Sequence, residues 1–302
     1  MAETNAFFVQ FPHPGGEHHS PTDDMPWNVA DHRRKFLVAP GQYREDDDRV
    51  GEADLVFWGE WEPPSRVERR WPADGRLPRS LHRPYWTRPA TSGFRQNTDP
   101  WVWGEQMVYS NCKQITGPQR RRTSMQELTP GSVICFGSTI DGDFCVDTVL
   151  VVASAEPWVP AEVDDLDVND AFKICTAHSV ATAPGDAHLR LTLYRGATAN
   201  DPVDGMYSFV PARRADERDP RFGRPSVRLS GRINPASRQS TWGSKRPLSV
   251  AQIRHAWESI HDQVLAHDLL LATRIETPAP GGTTSRRSPP DDGLEPGDTK
   301  GN

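Results

Sequence analysis

Short apolar runs of strand length alternate along the chain with long polar, proline-rich connections. Ala6–Phe11 (AFFVQF) reads as a first strand, closed by the tight loop Pro12-His13-Pro14-Gly15-Gly16-Glu17-His18-His19. Asn28–Leu37 reads as a short helix, capped by Asn28 and ended by Pro40-Gly41. Leu55-Val56-Phe57-Trp58 is a buried strand that turns at Gly59, and Pro63-Pro64 stop it. The segment from Ser65 to Asn97, rich in Arg, Pro and Trp, reads as a long loop. Met107–Gln114 follows as an extended segment.

The second half carries the strongest pairing signal. Ser132–Gly137 (SVICFG), the turn Asp141-Gly142-Asp143 and Phe144–Ala153 (FCVDTVLVVA) form a β-hairpin whose second strand is apolar on both faces apart from Asp147. Ser124–Leu128 is a helical turn. Phe172–Ser179, Leu189–Tyr194 and Gly205–Pro211 read as further strands, and Arg213–Gly243 as an exposed binding loop. Ser249 caps a helix, and Gln252 completes a capping box. Val250, Ile253, Trp257, Ile260 and Val264 then repeat on one stripe of that helix. Leu269–Thr273 is a last strand, and from Pro278 the composition is that of a disordered tail. The fold class is therefore α+β. We expect a β-rich single domain over residues 1–277 with a mixed or antiparallel central sheet, few helices, long loops and one clear C-terminal amphipathic helix, then a tail over 278–302.

Composition adjusts this picture in three places. A hydrophobic content of 35% and 28 prolines fit many loops. No apolar run approaches the roughly 20 residues that span a bilayer, and the N-terminus has no basic region before its apolar stretch, so a cytoplasmic location without membrane contact is expected. The formal net charge is −6, but Arg66 to Arg95 holds eight arginines, whereas Asp141 to Asp170 holds nine acids and no Lys or Arg. Such asymmetry can give an acidic protein one basic face able to hold a polyanion.

The candidate chemistry lies where acids interrupt apolar or aromatic sequence. Ala53–Ser65 (ADLVFWGEWEPPS) places Glu60 and Glu62 among Trp58 and Trp61, and on extended chain the two carboxylates point the same way. Two carboxylates in different environments can divide acid and base roles. Asp99, in Gln96-Asn97-Thr98-Asp99-Pro100 before Trp101, either caps a helix or joins Asn97 in reading the edge of a base or sugar. Asp147 is either tied to an arginine or backbone N–H, or a catalytic carboxylate at the edge of the core. Glu60, Glu62, Asp99 and Asp147 are thus the catalytic candidates.

Candidate substrate-binding residues surround them. His13 is an acid/base or hydrogen-bonding group, and Gly15-Gly16 leave backbone N–H groups to face an anion. Trp58, Trp61 and Trp101 supply planes for stacking, Asn97 supplies an amide, and Arg69, Arg70 and Arg88, interleaved with Trp71, Tyr85 and Trp86, supply cations for phosphates. Cys112, Cys135, Cys145 and Cys175 form no CxxC pair, and His13, His18 and His19 match no metal-ligand spacing, so neither metal nor cofactor is implied. The cysteines read as reduced, buried thiols, with Cys112 beside Lys113 as an alternative nucleophile.

The segments FFVQFPHPGGEH, VFWGEWEPPS and QNTDP, with GSVICFG and VDTVLVV, resemble a set shared by the bacterial anti-phage DNA glycosylases that excise glucosylated hydroxymethylcytosine. The resemblance spans about residues 6 to 275 and assigns no residue a role. It implies base flipping, hydrolysis of an N-glycosidic bond to leave abasic sites, and phage DNA with modified bases as partner. Two other classes remain open. One is a non-catalytic modified-base reader, since the pattern around Thr129-Pro130-Gly131-Ser132 resembles small β-barrels of the PUA and EVE type. The other is a nucleoside hydrolase or transferase.

Overall fold

A computed structural model describes residues 6–13, 15–18, 33–46, 49–88, 96–183, 185–228 and 248–281. The strands of the first third are β1 (Phe8–Pro12), β2 (Lys35–Arg44), β3 (Val50–Gly59), β4 (Ser65–Arg70) and β5 (Ser80–Pro84). Three two-residue strands follow, β6 (Val108–Tyr109), β7 (Ile115–Thr116) and β8 (Arg121–Arg122). The remainder are β9 (Val133–Ile140), β10 (Asp143–Trp158), β11 (Leu191–Gly196), β12 (Val210–Arg214) and β13 (Leu270–Ile275).

They form a five-stranded sheet in the order β1-β9-β10-β11-β6 and a six-stranded sheet in the order β13-β12-β3-β2-β5-β4. Pairing is antiparallel except between β1 and β9 and between β2 and β5. β13 also pairs with β2, so β13, β12, β3 and β2 close into a ring. The expected β-rich α+β architecture with a mixed sheet is the observed one.

Both faces of the central strands are buried, which is why their sequences are apolar without alternation. Ile134, Phe136, Leu150 and Val152 join one core cluster with Phe11, Leu37 and Phe57. Their neighbours Val133, Cys135, Val149 and Val151 join a second with Phe8, Phe36 and Val56. The hairpin turn between β9 and β10 holds Asp141 at φ 51 and Gly142 at φ 94, the two positive values that a two-residue hairpin loop needs.

Helix α1 (Asp170–Phe172) runs through a π turn (Lys173–Ala177) into α2 (His178–Thr182), and α3 (Val250–Ala266) is the long helix near the C-terminus. The Ser249/Gln252 capping box is formed, and α3 buries Ile253, Trp257, Ile260 and Val264 as its stripe predicts. Among the described residues no helix is long and apolar enough to cross a membrane.

Four expectations are corrected. The helix over Asn28–Leu37 is absent where it can be seen, since Lys35, Phe36 and Leu37 open strand β2 and residues 28–32 lie outside the described set. The run Phe36-Leu37-Val38-Ala39 is buried on both faces, and that burial outweighs the weak helical spacing. Phe172–Ser179 is helical instead of extended, because the Asn169 side chain accepts the N–H of Phe172 at 2.8 Å and starts the turn. The loop expected over Ser65–Asn97 contains the antiparallel pair β4/β5. Pro278–Gly281 are packed: Pro278 accepts from Trp86 Nε1 at 2.9 Å, and Gly281 N–H bonds Trp86 O at 2.7 Å. Smaller differences are that Met107–Gln114 contributes only β6, and Gly205–Pro211 only the start of β12. Of the Arg213–Gly243 loop, residues 229–243 lie outside the described set, as do 282–302 of the tail.

Candidate functional site

The end of β3 and the start of β2 carry the charged residues to one place. Arg34, just before β2, is 1% exposed. Its Nε donates to Asp147 Oδ2 at 3.0 Å, its Nη1 lies 3.1 Å from Glu60 Oε2, and its Nη2 contacts His13 Nδ1. Asp147 in turn faces Arg224 Nε at 3.5 Å. Arg224 also donates to Ser138 Oγ and to the Gly15 carbonyl, each at 2.9 Å. The His13–His18 loop is thereby tied to both sheets. A Cβ at Gly15 would lie 2.9 Å from Cβ of Ser138, so only glycine fits there. The Gly16 carbonyl accepts the backbone N–H of Arg34 at 2.9 Å.

His13 is neutral. Burial, then the Arg34 cation, lower its pKa to about 4, against the opposing pull of Glu60. Its Nδ1 lies 3.1 Å from Glu60 Oε2 and also meets Arg34. A single ring nitrogen cannot accept from the guanidinium and donate to the carboxylate at once, so the two contacts belong to the two neutral tautomers, with the ring proton on Nε2 in one and on Nδ1 in the other.

Glu62 has separate partners. Its Oε2 accepts the backbone N–H of Asn97 at 2.5 Å, and its own N–H donates to Thr98 Oγ1 at 3.2 Å. Glu62 also acts on the fully buried Lys35, whose Nζ donates to Pro63 O at 3.1 Å. Burial lowers the Lys35 pKa to about 7, with Glu62 opposing. The expectation that Glu60 and Glu62 share an orientation on extended chain is not met, because β3 ends at Gly59 and strand alternation ends with it.

Asp99 caps no helix. It accepts three successive backbone N–H groups, from Ser110 and Asn111 at 2.9 Å and from Cys112 at 2.7 Å. Burial raises its pKa to about 6 despite these bonds. Asp99 is thus a clamp that shapes the loop Ser110–Lys113. α2 and the π turn before it hold the facing segment: Ser179 Oγ accepts the N–H of Gln96 at 2.8 Å, and Thr176 Oγ1 donates to Thr98 O at 2.8 Å.

Between these two walls lies a cleft of about 350 Å³, within the size range of small-ligand sites. Asn97, Asn111, Cys112 and Lys113 line one part of it, and Val180 and Leu191 belong to its apolar part. The side-chain amides of Asn97 and Asn111 donate to each other, both at 3.0 Å. Asn111 spends its second N–H on Ser110 Oγ at 2.8 Å, and the Asn97 amide also reaches Cys112 Sγ at 3.5 Å.

The sequence-based site therefore divides. Glu60, Glu62, Asp99, His13 and Asn97 come together behind or on this cleft, and Cys112 in its wall feels Asp99, Glu60 and Glu62. Burial followed by those three acids raises the Cys112 pKa well above the ordinary thiol value, which overturns its reading as an activated nucleophile. Asp147, Gly15 and Gly16 sit on the Arg34–Arg224 side of the network. Trp58, Trp61 and Trp101 offer no stacking plane, because they are core. Trp61 packs 5.2 Å from Trp103 and 5.9 Å from Trp101, and Trp58 lies under the Arg224 guanidinium at 4.8 Å. Arg69, Arg70 and Arg88 are exposed, and Arg69 stacks over Trp71 at 5.7 Å.

Asn111 was not among the sequence candidates, and Arg34 and Lys35 were weighed only as the cationic end of a helix or as phosphate contacts, with Lys113 only as the cation beside Cys112. Reading Arg34–Ala39 as strand would have turned two adjacent cations toward opposite buried faces, which is the missed signal. Among the described residues no group of three or more His, Cys, Asp or Glu is arranged to hold a metal ion. No protein-family model matches the chain, and comparison with curated proteins and with solved structures finds no relative.

Proposed function

We propose that the chain is a DNA glycosylase that excises a glucosylated cytosine from phage DNA and leaves an abasic site. The observation that carries this reading is the carboxylate directly behind the cleft wall: Glu62 holds the N–H of the cleft-lining Asn97 at 2.5 Å, with Glu60 and His13 beside it. Breaking an N-glycosidic bond needs negative charge near the oxocarbenium-like sugar and a group that moves a proton to or from water. Glu60 supplies the charge and neutral His13 the proton-moving group, since its Nδ1 accepts in one tautomer and donates to Glu60 in the other. Glu62 positions Asn97. The remaining lone pairs on the Asn97 and Asn111 oxygens suit a ligand rich in N–H and O–H donors, such as an exocyclic amine or a sugar. The exposed Arg69, Arg70 and Arg88 suit backbone phosphates.

The test is incubation of the protein with DNA carrying glucosylated hydroxymethylcytosine and with unmodified DNA. Abasic sites on the modified DNA alone are expected. Glu60→Gln should lower that rate roughly 10²–10⁴-fold while the circular dichroism spectrum is retained. Full activity of Glu60→Gln would remove this acid from the mechanism. A reader without catalysis is the second reading, favoured by the engagement of both Asp99 oxygens in backbone bonds. Tight binding to modified DNA without abasic sites would establish it.

A further inference from the structure

We infer that the cleft takes its nucleotide within a strand and not as a free nucleoside, and that the β7–β8 hairpin grips the strand, with Arg120 and Arg122 on phosphates beside the bound nucleotide. The inference rests on the reading of the cleft as a nucleotide site and adds the partner class and the side from which it enters. It applies equally to a site that cuts and to one that only reads.

From Lys113 to Arg122 the chain (KQITGPQRRR) has four cations and no acid. A charge run alone is no site, but this one has a rigid mount. Gln114, fully buried at its base, exchanges two hydrogen bonds with the backbone of Thr192 in β11, at 2.7 and 2.8 Å. Thr123 closes the other end, its N–H on Gln114 O at 2.9 Å and its Oγ1 on Lys113 O at 2.7 Å. Gly117 at φ 70 and Arg120 at φ 52 turn the chain back between the two strands. β7 and β8 pair only with each other and join neither large sheet.

The register decides which cations face the cleft. Ile115 lines the cleft and pairs directly with Arg122, and directly paired residues share one face. Arg120 lines the cleft as well. Arg121 pairs with Thr116 and takes the other face. Arg121 and Arg122 are exposed, and among the described residues neither has a carboxylate partner. Arg120 reaches the opposite wall, with Nη2 2.5 Å from Asp186 Oδ1. The Arg120 side chain is 47% exposed, so solvent screens this pair and a phosphate can replace the carboxylate at little cost.

The opposite wall carries the opposite sign. α2 forms part of it and packs on the 3₁₀ turn Pro160–Asp165, where Glu162, Asp164 and Asp165 are exposed. A polyanion is therefore drawn to one lip of the cleft and repelled from the other, which fixes the side along which a strand runs. An uncharged nucleoside gains nothing from that division.

The test is fluorescence anisotropy of the full chain with a labelled oligodeoxynucleotide carrying glucosylated hydroxymethylcytosine, over a range of salt concentrations. Arg122→Gln and Arg120→Gln should each weaken binding roughly tenfold and reduce the log–log salt slope by about one. Arg121→Gln should change neither. Asp186→Asn, which releases Arg120, should tighten binding roughly threefold. Equal losses in Arg121→Gln and Arg122→Gln would reveal a diffuse field and overturn the inference. So would a free modified nucleoside that competes as well as the oligonucleotide, or polyglutamate that binds as tightly. Base excision with DNA affinity unchanged in Arg120→Gln and Arg122→Gln overturns it and leaves the glycosylase reading standing. Strand binding that depends on both arginines, without abasic sites, does the reverse.

Discussion

Replacing Arg34 by methionine tests the network that joins the two sheets. The guanidinium sits near 3 Å from both Glu60 and Asp147, and all three side chains are almost wholly buried. At an effective dielectric of about 20, each contact has a gross attraction of about 5 kcal/mol. Desolvation of the three groups opposes this by several kcal/mol each, so the intact network adds little net stability. Removing the cation alone is different, because Glu60 and Asp147 remain in the core with Arg224 as the cation left beside Asp147. The expected loss is about 3–5 kcal/mol, or about 6–20 °C in Tm for a domain of this size. The loss also has a pH signature. Without Arg34 the buried Glu60 favours its neutral, proton-bound form more than it does in the unfolded chain. The stability gained from that binding is present at low pH and lost as pH rises. The deficit of Arg34→Met relative to the wild-type chain is therefore smaller at pH 5 than at pH 8. Urea denaturation at both pH values measures it. Adding Glu60→Gln to Arg34→Met should recover most of the loss, since Asp147 keeps Arg224 beside it. A loss under about 1 kcal/mol, with no dependence on pH, would refute the reasoning and show that water solvates these acids.

Two further buried groups give opposite pH dependences. Lys35 titrates near pH 7 when folded against 10.5 as its ordinary value, so unfolding takes up a proton between those limits. Its contribution to stability rises with pH there, by up to about 1.4 kcal/mol per pH unit, and Lys35→Met should remove that rise in urea titrations from pH 6 to 10. Asp99 titrates near pH 6 when folded against 3.8, so its contribution is present at pH 4 and is lost as pH rises through 6. Asp99→Asn should remove this fall. It should also cost roughly 1–3 kcal/mol, since an amide offers one acceptor oxygen to three N–H groups, and calorimetry at pH 7 checks that figure.

The parts of the fold legible in the sequence were those where local and tertiary preferences agree. The β9/β10 hairpin has two apolar runs around a turn that needs Asp141-Gly142, and α3 has both a capping box and an apolar stripe. The parts misread are those where tertiary burial decided. Lys35–Ala39 alternates in no visible way because both of its faces are covered, so a strand there has no period to show. Phe172–Ser179 looks extended until the cap at Asn169 and the π turn that follows are known.

The same physics explains why the acids of the site were visible and their partners were not. A carboxylate between tryptophans or inside FCVDTVLVV breaks an apolar pattern and stands out. Arg34 and Lys35 stand in Arg33-Arg34-Lys35, a run that reads as the cationic end of a short helix or as phosphate contacts. Only the pairing of β2 with β3 turns two of them inward against Glu60 and Glu62. A core built for stability alone would fill Arg34, Glu60 and Asp147 with apolar side chains of similar volume, an exchange that is neutral or stabilising by about 1–4 kcal/mol. Instead the charged groups run from Arg224 to the Asn97 wall of the cleft. That placement gives the site a fixed local field without letting water in, which is the condition under which a buried carboxylate can steady developing positive charge on a sugar.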